Sequence, residues 1–232
     1  MNVLKQSAEA LENRLLKTGR VLATRSWSPA GFVEVDLHLP GCDMSGWTET
    51  KHIKCRVAPF TYRDYTPAGW DAETQTCTLY IETGHDGPGS HWARRLKRGD
   101  CISYLGVANS HQRAESDRQL VFLGDETAIG HFFALSGLAG PGAPITGALS
   151  ILHQDHQQQF AEYFPRLHLQ LLKKREAQDY ESLLRWVNDT IPSGQNAVFL
   201  LAGYGSAVSQ MRRLLRQKGY GNDRVRAEGF WN

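Results

Sequence analysis

The stretches RDYT at residues 63–66 and HDGPGSHWA at residues 85–93 decide how the first half of this chain is interpreted. The first places Arg63, Tyr65 and a threonine hydroxyl at the end of a predicted strand. The second is a glycine-rich turn that opens a short predicted helix. A guanidinium and the free backbone N–H groups of a helix start suit a diphosphate, and a polar aromatic edge suits a ring system. The two motifs therefore predict a site for a flavin dinucleotide.

The residues around these motifs have the pattern of short antiparallel strands. Val33, Val35 and Leu37 alternate with polar residues, which is typical of a half-buried strand. Several short strands separated by turns favour a small barrel. The predicted strands are rich in β-branched, aromatic or alternating apolar residues and cover residues 20–27, 32–39, 52–58, 76–82 and 101–106.

The pattern changes after residue 116, where predicted strands alternate with predicted helices. This alternation predicts a parallel sheet that is covered on both faces. The predicted strands are 119–123, 144–152, 166–172, 197–201 and 224–228. A turn and a helix are predicted within 124–137, and further helices at 180–187 and 206–218.

The chain is thus predicted to be a two-domain β-barrel plus α/β protein. An N-terminal antiparallel FAD-binding β-barrel domain covers residues 19–115, and a C-terminal parallel-sheet NAD(P)-binding-like α/β domain covers 116–232. This is the layout of the ferredoxin reductase-like architecture. Ahead of the barrel, residues 1–18 carry leucines and alanines at helical spacing and predict an amphipathic helix that packs on the body or on a partner.

The charge of the chain excludes some classes of function. The net charge is +2, and residues 1–116 hold 14 Lys and Arg against 13 Asp and Glu, while 117–232 hold 12 against 11. A nucleic-acid binder would show a basic domain or stripe, so no nucleic-acid partner is predicted. No apolar run reaches the roughly 20 residues that span a bilayer, and the first residues lack the apolar core of a signal peptide. We expect a cytoplasmic monomer without membrane insertion.

The cysteines and histidines do not predict a metal site. Cys42, Cys55, Cys77 and Cys101 form no C-x-x-C pair, so reduced thiols packed in or near strands are expected. The run HQDHQQQ at residues 153–159 has two histidines but no third ligand at a suitable distance, and we interpret it as a polar loop.

Five motifs in a fixed order make the chain similar to the siderophore-interacting proteins, which are flavin-dependent ferric-siderophore reductases of the ferredoxin reductase-like superfamily. RDYT resembles the arginine–any–tyrosine–threonine or serine flavin motif of that family, and HDGPGSHWA resembles its phosphate-binding turn. The resemblance covers the chain except residues 1–18. The three further matching elements are GD at 99–100, GDETAI at 124–129, and AG at 202–203 with GFW at 229–231.

The resemblance implies an FAD-dependent oxidoreductase that reduces Fe(III) held by a siderophore to Fe(II). FAD would be the prosthetic group and the ferric siderophore the substrate. The electrons would come from NADH or NADPH, or from a redox protein such as a ferredoxin. Flavin suits this task because it accepts a hydride and releases electrons singly.

The resemblance also assigns roles in the first motif. Arg63 would face the FAD diphosphate, and the alternative for it is a surface ion pair with Asp64 or Asp71. Tyr65 would pack beside the flavin or its ribityl chain, and the alternative is a core position. Thr66 would donate a hydrogen bond to the flavin ring. The predicted cofactor residues of this motif are Arg63, Asp64, Tyr65 and Thr66.

The second motif would supply the diphosphate with backbone donors, because glycines let the backbone approach closely and a helix start has N–H groups without internal partners. The alternative is an ordinary turn with Ser90 as the helix N-cap. Trp92 is expected in the core or stacked on the adenine. The predicted cofactor residues of this turn are His85, Gly87, Pro88, Gly89 and Ser90.

The second domain contributes Thr127 and Trp231 to the predicted cofactor set. Two carboxylates at 125–126 stand where phosphate-binding loops use glycines, which argues against a tight diphosphate cradle there. Thr127 has a helix N-cap as its alternative role, and Trp231 either covers the flavin or is buried in the last strand. The predicted substrate residues are Lys173, Lys174 and Arg175, because many ferric siderophores are anionic, and the alternative for this cluster is a solvated helix or strand-end face.

Three alternative functions stay open at this point. The same fold serves flavin and quinone reductases. The chain could also be a flavin-bearing electron-transfer protein that acts on another protein. A third alternative is a siderophore-binding protein without turnover.

Overall fold

The computed structural model describes residues 12–114, 118–176 and 178–231 of the 232-residue chain. The chain divides into two compact units, and the division falls between Asn109 and Ser110. An antiparallel, barrel-like sheet forms the first unit, and a parallel α/β sheet forms the second. The predicted fold class is confirmed.

The first unit is a seven-stranded antiparallel sheet in the order β4-β3-β7-β1-β2-β6-β5. One helix, α1 (Pro88–Arg95), lies between β6 and β7 in the sequence. The strands are β1 Lys17–Ser26, β2 Phe32–His38, β3 Lys51–Ala58, β4 Thr61–Tyr65, β5 Pro67–Asp71, β6 Thr76–Glu82 and β7 Cys101–Asn109.

Alternation of apolar residues builds the core of this unit. In β3 and β6 every second side chain is buried, as period-2 strands require. Strand β2 departs from the predicted alternation, because Glu34 is buried together with the valines beside it. Its carboxylate accepts hydrogen bonds from Trp27 Nε1 at 2.7 Å and from Arg25 Nε at 2.9 Å. A buried carboxylate needs such partners.

The predicted N-terminal helix is shorter than expected where it can be checked. Residues 12–15 are helical, but Lys17 and Thr18 already belong to β1, where they pair with Tyr104 and Ser103 of β7. The prediction for residues 1–11 lies outside the described residues. Glu12 holds the helical residues on the β3–β4 hairpin, since its carboxylate pairs with Arg56 at 3.0 Å and accepts the Tyr62 hydroxyl.

The second unit is a five-stranded parallel sheet in the order β10-β9-β8-β11-β12. The central strands β8 and β11 are almost entirely buried, because helices cover both faces of a parallel sheet. The strands are β8 Gln119–Asp125, β9 Ile145–Ile151, β10 Gln170–Lys173, β11 Ala197–Tyr204 and β12 Val225–Trp231. The helices are a 3₁₀ turn at Glu126–Ala128, α2 Ile129–Ala139, α3 His156–Tyr163, α4 Glu181–Thr190 and α5 Gly205–Gln217.

The interpretation of residues 153–159 as a polar loop is wrong for its second part. Helix α3 begins at His156, and His156 and Phe160 are buried on one of its faces. These two residues stand four apart, which is the spacing of neighbours on a helix. The glutamines between them hid this pattern.

No described group of three or more His, Cys, Asp or Glu side chains is arranged to hold a metal ion. All four cysteines are free thiols; Cys55 and Cys77 are buried, whereas Cys101 at the start of β7 is exposed. Burial raises the pKa of the Cys77 thiol to about 12, so this sulfur stays protonated. Among the described residues, none of the helices is long and apolar enough to cross a bilayer.

Candidate functional site

Strand β4 presents Arg63 and Tyr65 on one face of the sheet. It pairs with β3, so that Arg63 lies opposite Cys55 and Tyr65 opposite Ile53. Residues two apart in a strand point the same way, whereas Asp64 between them points to the other face. There the Asp64 carboxylate pairs with Lys54 at 3.0 Å, with both side chains well exposed.

The Arg63 guanidinium is exposed and is not part of an ion pair with any described carboxylate. Its Nη1 donates one hydrogen bond, at 2.7 Å, to the carbonyl of Tyr62. The alternative pairing with Asp64 or Asp71 is not formed, because Asp64 pairs with Lys54 and the Asp71 carboxylate accepts backbone N–H groups of its own turn. The guanidinium keeps donors for an anion.

Tyr65 is held rigidly by an aromatic neighbour. Its ring stacks on Trp92 of α1, with the ring centroids 5.6 Å apart and the planes 14° from parallel. Burial raises the pKa of the Tyr65 phenol well above its usual range, so the hydroxyl keeps its proton and can donate a hydrogen bond. Trp92 packs against the barrel core, which is one of the two positions predicted for it.

Gly89 joins the two motifs that stand some twenty residues apart in the sequence. A Cβ at this position would lie 2.6 Å from Oη of Tyr65 and 3.3 Å from Cγ of Arg63. The first distance is shorter than any ordinary contact, so only glycine fits while the tyrosine stays in place. The structure thus brings together Arg63, Tyr65 and the start of α1.

The start of α1 has backbone donors without helical partners. Gly87 is the N-cap and makes no side-chain cap bond, and Pro88 occupies the first turn. The alternative that Ser90 caps this helix is therefore wrong. The N–H groups of Gly89 and Ser90 precede the first i to i−4 bond, which runs from His91 N to Gly87 O at 2.9 Å. Such a helix start attracts anions.

The Ser90 hydroxyl contacts one further side chain, the imidazole of His85, which has partners of its own. Nε2 of His85 lies 3.1 Å from Oγ of Ser90, and Nδ1 of the same ring contacts the Glu82 carboxylate. Arg94 donates to the carbonyl of His85 at 3.1 Å. Glu82 was not among the predicted site residues, because it precedes the motif at the end of β6 and no pattern in the sequence marks it. Thr66 lies half-buried between β4 and β5, and its role stays a prediction.

In the second unit, the residue that caps the helix start is Asp125 and not Thr127. Its Oδ1 accepts the backbone N–H of Thr127 at 2.9 Å and also the Thr127 hydroxyl. Its Oδ2 accepts the Tyr180 hydroxyl and the backbone N–H of Tyr204, each at 2.9 Å. Asp125 is 1% exposed. The N-cap role predicted for Thr127 is therefore wrong, since Thr127 donates to the cap.

The Asp125 carboxylate occupies a position at the centre of the sheet that an anionic ligand could otherwise occupy. It lies at the carboxyl ends of β8 and β11, between the 3₁₀ turn and the start of α5. Gly203 leaves room for it, with a φ of +121° and a virtual Cβ 2.6 Å from Oδ2. In open α/β sheets this crevice is where a nucleotide phosphate meets helix N-termini. Here a side chain of the protein already accepts those N–H groups.

Glu126 and Lys174 form a buried ion pair beside Asp125. The Lys174 Nζ lies 2.8 Å from Oε2 of Glu126, and Lys174 is 4% exposed. Arg175 pairs with Asp179 at 2.8 Å and with Glu181 at 3.2 Å. The predicted substrate triplet at 173–175 is therefore not one open cationic cluster, although Lys173 and Arg175 are exposed.

Glu126→Gln is expected to remove a pH dependence of stability. Burial raises the pKa of the Glu126 carboxyl from 4.5 to about 7, and Lys174 opposes only part of this shift. The folded chain binds this proton more tightly, so the resulting stability is complete below about pH 4.5 and is lost as the pH rises through about 7. The loss is on the order of 3 kcal/mol, at 1.36 kcal/mol per pKa unit.

Urea unfolding at a series of pH values measures this effect as the difference between wild type and Glu126→Gln. The exposed Glu162 on α3 provides the control, because Glu162→Gln should leave the wild-type curve unchanged. A wild-type curve parallel to that of Glu126→Gln between about pH 4.5 and 7 would contradict the assignment.

Trp231 lies in the last strand beside other aromatic rings. Its ring centroid is 4.5 Å from that of Tyr204, and Tyr204 stacks on Tyr180 at 5.3 Å. Burial beside Asp125 raises the pKa of the Tyr180 phenol, which remains a donor to that carboxylate. Trp231 is half-buried in β12, and its predicted place over the flavin stays a prediction.

Comparison with known proteins identifies a family and similar folds. A family model described as "Siderophore-interacting protein" matches residues 117–232. None of the curated proteins matches the sequence significantly. The siderophore-interacting protein of Acinetobacter baumannii is similar in structure, with a TM-score of 0.77, 16% identity, and coverage of 93% of this chain and 90% of that one.

Two other solved structures are also similar. A siderophore utilization protein from T. fusca has a TM-score of 0.74 at 22% identity and covers 94% of this chain and 92% of its own. The flavohem-like FAD/NAD binding domain of nitric oxide dioxygenase from Vibrio cholerae has a TM-score of 0.68 at 15% identity, covering 93% and 99%. At these identities the likeness shows the fold.

Proposed function

Because this chain belongs to the siderophore-interacting protein family, we propose that it is an FAD-dependent oxidoreductase that reduces ferric siderophores. The substrate is Fe(III) bound by a siderophore, and the product is Fe(II). Fe(II) binds the hard oxygen ligands of siderophores less tightly than Fe(III), so that reduction releases the iron. The fold, shared with an FAD/NAD binding domain, supports a role in flavin electron transfer.

The convergence of Arg63, Tyr65 and Gly89 carries this proposal. The side-chain stem of Arg63 and the neutral phenol of Tyr65 both lie against Gly89 at a helix start without a side-chain cap, and the Arg63 guanidinium is exposed and has no carboxylate partner among the described residues. Positive charge and unpaired N–H groups fit a diphosphate, and the stacked phenol fits the edge of a ring. FAD has both parts.

Bound FAD would supply hydride acceptance and one-electron release. Arg63 and the N–H groups of Gly89 and Ser90 would hold its diphosphate, and Tyr65 would fix the adjoining part of the cofactor. Trp92 keeps the Tyr65 ring in place from behind. A rigid ring and a glycine contact would position the cofactor without further ordering of side chains.

A second function is supported by one observation, which concerns the source of the electrons. Asp125 already accepts the N–H groups of Thr127 and Tyr204, which a nucleotide diphosphate would otherwise use. A pyridine nucleotide that reduces this flavin would therefore bind with its diphosphate elsewhere. This observation favours a ferredoxin-like donor, and with it the alternative that the chain is a flavin-bearing electron-transfer protein.

Anaerobic reduction of the purified flavoprotein tests these proposals. Reduced ferredoxin is expected to bleach the flavin faster than NADH or NADPH, because it needs no diphosphate site. Addition of a ferric catecholate, hydroxamate or citrate should then restore the oxidised spectrum, with Fe(II) captured by a chromogenic chelator. Reduced flavin that none of these ferric complexes reoxidises would leave an electron-transfer protein with another acceptor.

A further inference from the structure

Three side chains at the start of α1 form a continuous hydrogen-bonded chain of carboxylate, imidazole and hydroxyl. The Glu82 carboxylate contacts Nδ1 of His85, and Nε2 lies 3.1 Å from Oγ of Ser90. Ser90 is 1% exposed, whereas the His85 side chain is 44% exposed. The imidazole therefore connects a buried hydroxyl to solvent, from which it can take up a proton.

The position of the protons decides what Ser90 can do. A carboxylate only accepts, so the ring nitrogen that faces Glu82 carries a proton. In the neutral ring, Nε2 then has a lone pair and accepts the hydroxyl proton of Ser90. In that state Oγ of Ser90 presents lone pairs, and these repel an anion at the helix start.

One more proton reverses this arrangement. When it is added to the Glu82–His85 pair, Nε2 donates to Oγ, and the hydroxyl proton of Ser90 is released to point elsewhere. Ser90 lies in the first turn of α1, next to the backbone N–H groups of Gly89 and of Ser90 itself. With a diphosphate bound at this helix start, the nearly buried Ser90 side chain (1% exposed) would turn toward it, and the released hydroxyl proton would add a third donor for a phosphate oxygen.

We propose that the Glu82–His85 pair is a positioning device that takes up one proton when the flavin diphosphate binds, and so turns Ser90 into a donor to that diphosphate. This inference rests on the proposed FAD site. It assigns His85 and Glu82 as positioning residues that act through Ser90. The affinity for FAD is then coupled to proton uptake.

The charges around His85 agree with uptake on binding. Glu82 contacts the ring itself, and Asp86 lies next in the chain but pairs with His91 and is largely exposed. Arg94 donates to the His85 carbonyl, and Arg63 reaches the same helix start beside Gly89. Glu82 contacts the ring and favours its protonated form with or without ligand, and a bound diphosphate adds further negative charge, which favours that form more.

The sign of the pH dependence follows from this coupling. The proton is held more tightly with FAD bound, so the full affinity is present at low pH and is lost as the pH rises through the pKa of the bound state. Uptake of one proton makes Kd rise by up to about tenfold per pH unit within that window. The diphosphate of FAD does not itself titrate near neutral pH.

Dilution of the full-length flavoprotein between about pH 5 and 9, with free FAD followed by its fluorescence, measures this slope. Kd of the wild type should rise with pH. Ser90→Ala should bind FAD about tenfold more weakly at low pH, the effect of one lost hydrogen bond to a charged group, and its Kd should vary less with pH than that of the wild type. Glu82→Gln should also weaken the slope, and His85→Gln, which removes the titrating ring, should give a flat profile.

The neighbouring pair of His91 and Asp86 provides a matched control. It joins an imidazole to a carboxylate on the same turn but does not reach Ser90. His91→Gln should therefore keep the wild-type slope. Riboflavin lacks the diphosphate, so its binding to the wild type should show no slope.

Three results would overturn the inference: a wild-type Kd that does not change with pH, a Ser90→Ala variant with the wild-type slope, or a slope that His91→Gln abolishes. Thermal unfolding of each variant without flavin excludes misfolding as the cause of a flat profile. A wild type that binds no FAD at any pH would instead refute the proposed function, so the two failures are distinguishable.

Discussion

Arg63→Ala is expected to lower the affinity for FAD by roughly a hundredfold, which corresponds to about 3 kcal/mol at 1.4 kcal/mol per factor of ten. The guanidinium is exposed, and among described residues it donates only to the Tyr62 carbonyl. Its loss therefore removes charge-assisted hydrogen bonds to the diphosphate and little folding energy. Each such bond contributes ~1.5–3 kcal/mol.

Equilibrium titration of the flavin-free protein with FAD measures this loss. Arg20 is an exposed arginine on β1, and Arg20→Ala provides the control for removing one positive charge from the barrel. Arg63→Lys should fall between wild type and Arg63→Ala, since it keeps the charge but loses the planar fork. Equal affinities of Arg63→Ala and Arg20→Ala would remove Arg63 from the site.

Gly89→Ala is expected to damage both the stability and the flavin site. The added methyl group would meet Oη of Tyr65 at 2.6 Å. Tyr65 cannot swing away freely, because its ring stacks on Trp92. Overpacking of this kind costs ~1–3 kcal/mol, and movement of the tyrosine would also displace it from the cofactor.

A double-mutant cycle with Tyr65→Phe tests the cause of this effect. Removal of Oη leaves Cζ at 3.8 Å and Cγ of Arg63 at 3.3 Å as the nearest atoms to the new methyl group. Gly89→Ala should therefore destabilise the Tyr65→Phe protein much less than the wild type, as measured by urea unfolding. Additive changes in the free energy of unfolding would show that the hydroxyl is not the obstacle.

Local patterns in the sequence were sufficient for the fold class. Period-2 alternation in segments such as 76–82 and apolar runs such as 119–123 and 197–201 reflect burial on one or two faces, and burial is what the sheets require. The sequence does not reveal helix α3, because only two of its side chains, His156 and Phe160, are buried. The end of the N-terminal helix was misplaced because pairing with β7 overrides the local helical spacing at Lys17.

The candidate site was predictable only in part, for a physical reason. Motifs mark residues that are close in sequence, so Arg63, Tyr65 and Gly89 were identified, although their mutual contact depends on the packing of α1 against β4. Partners contributed from elsewhere leave no such mark. Glu82 at the end of β6 and the four donors that surround Asp125 come from separate elements, and only the fold shows that they meet.

The flavin content of the purified 232-residue chain tests the central claim most directly. The account predicts one FAD per chain, visible as the two flavin absorption bands, and a clear preference for FAD over riboflavin, which lacks the diphosphate that Arg63 and the start of α1 would bind. A colourless protein that takes up no added FAD, or one that binds riboflavin as tightly as FAD, would contradict it.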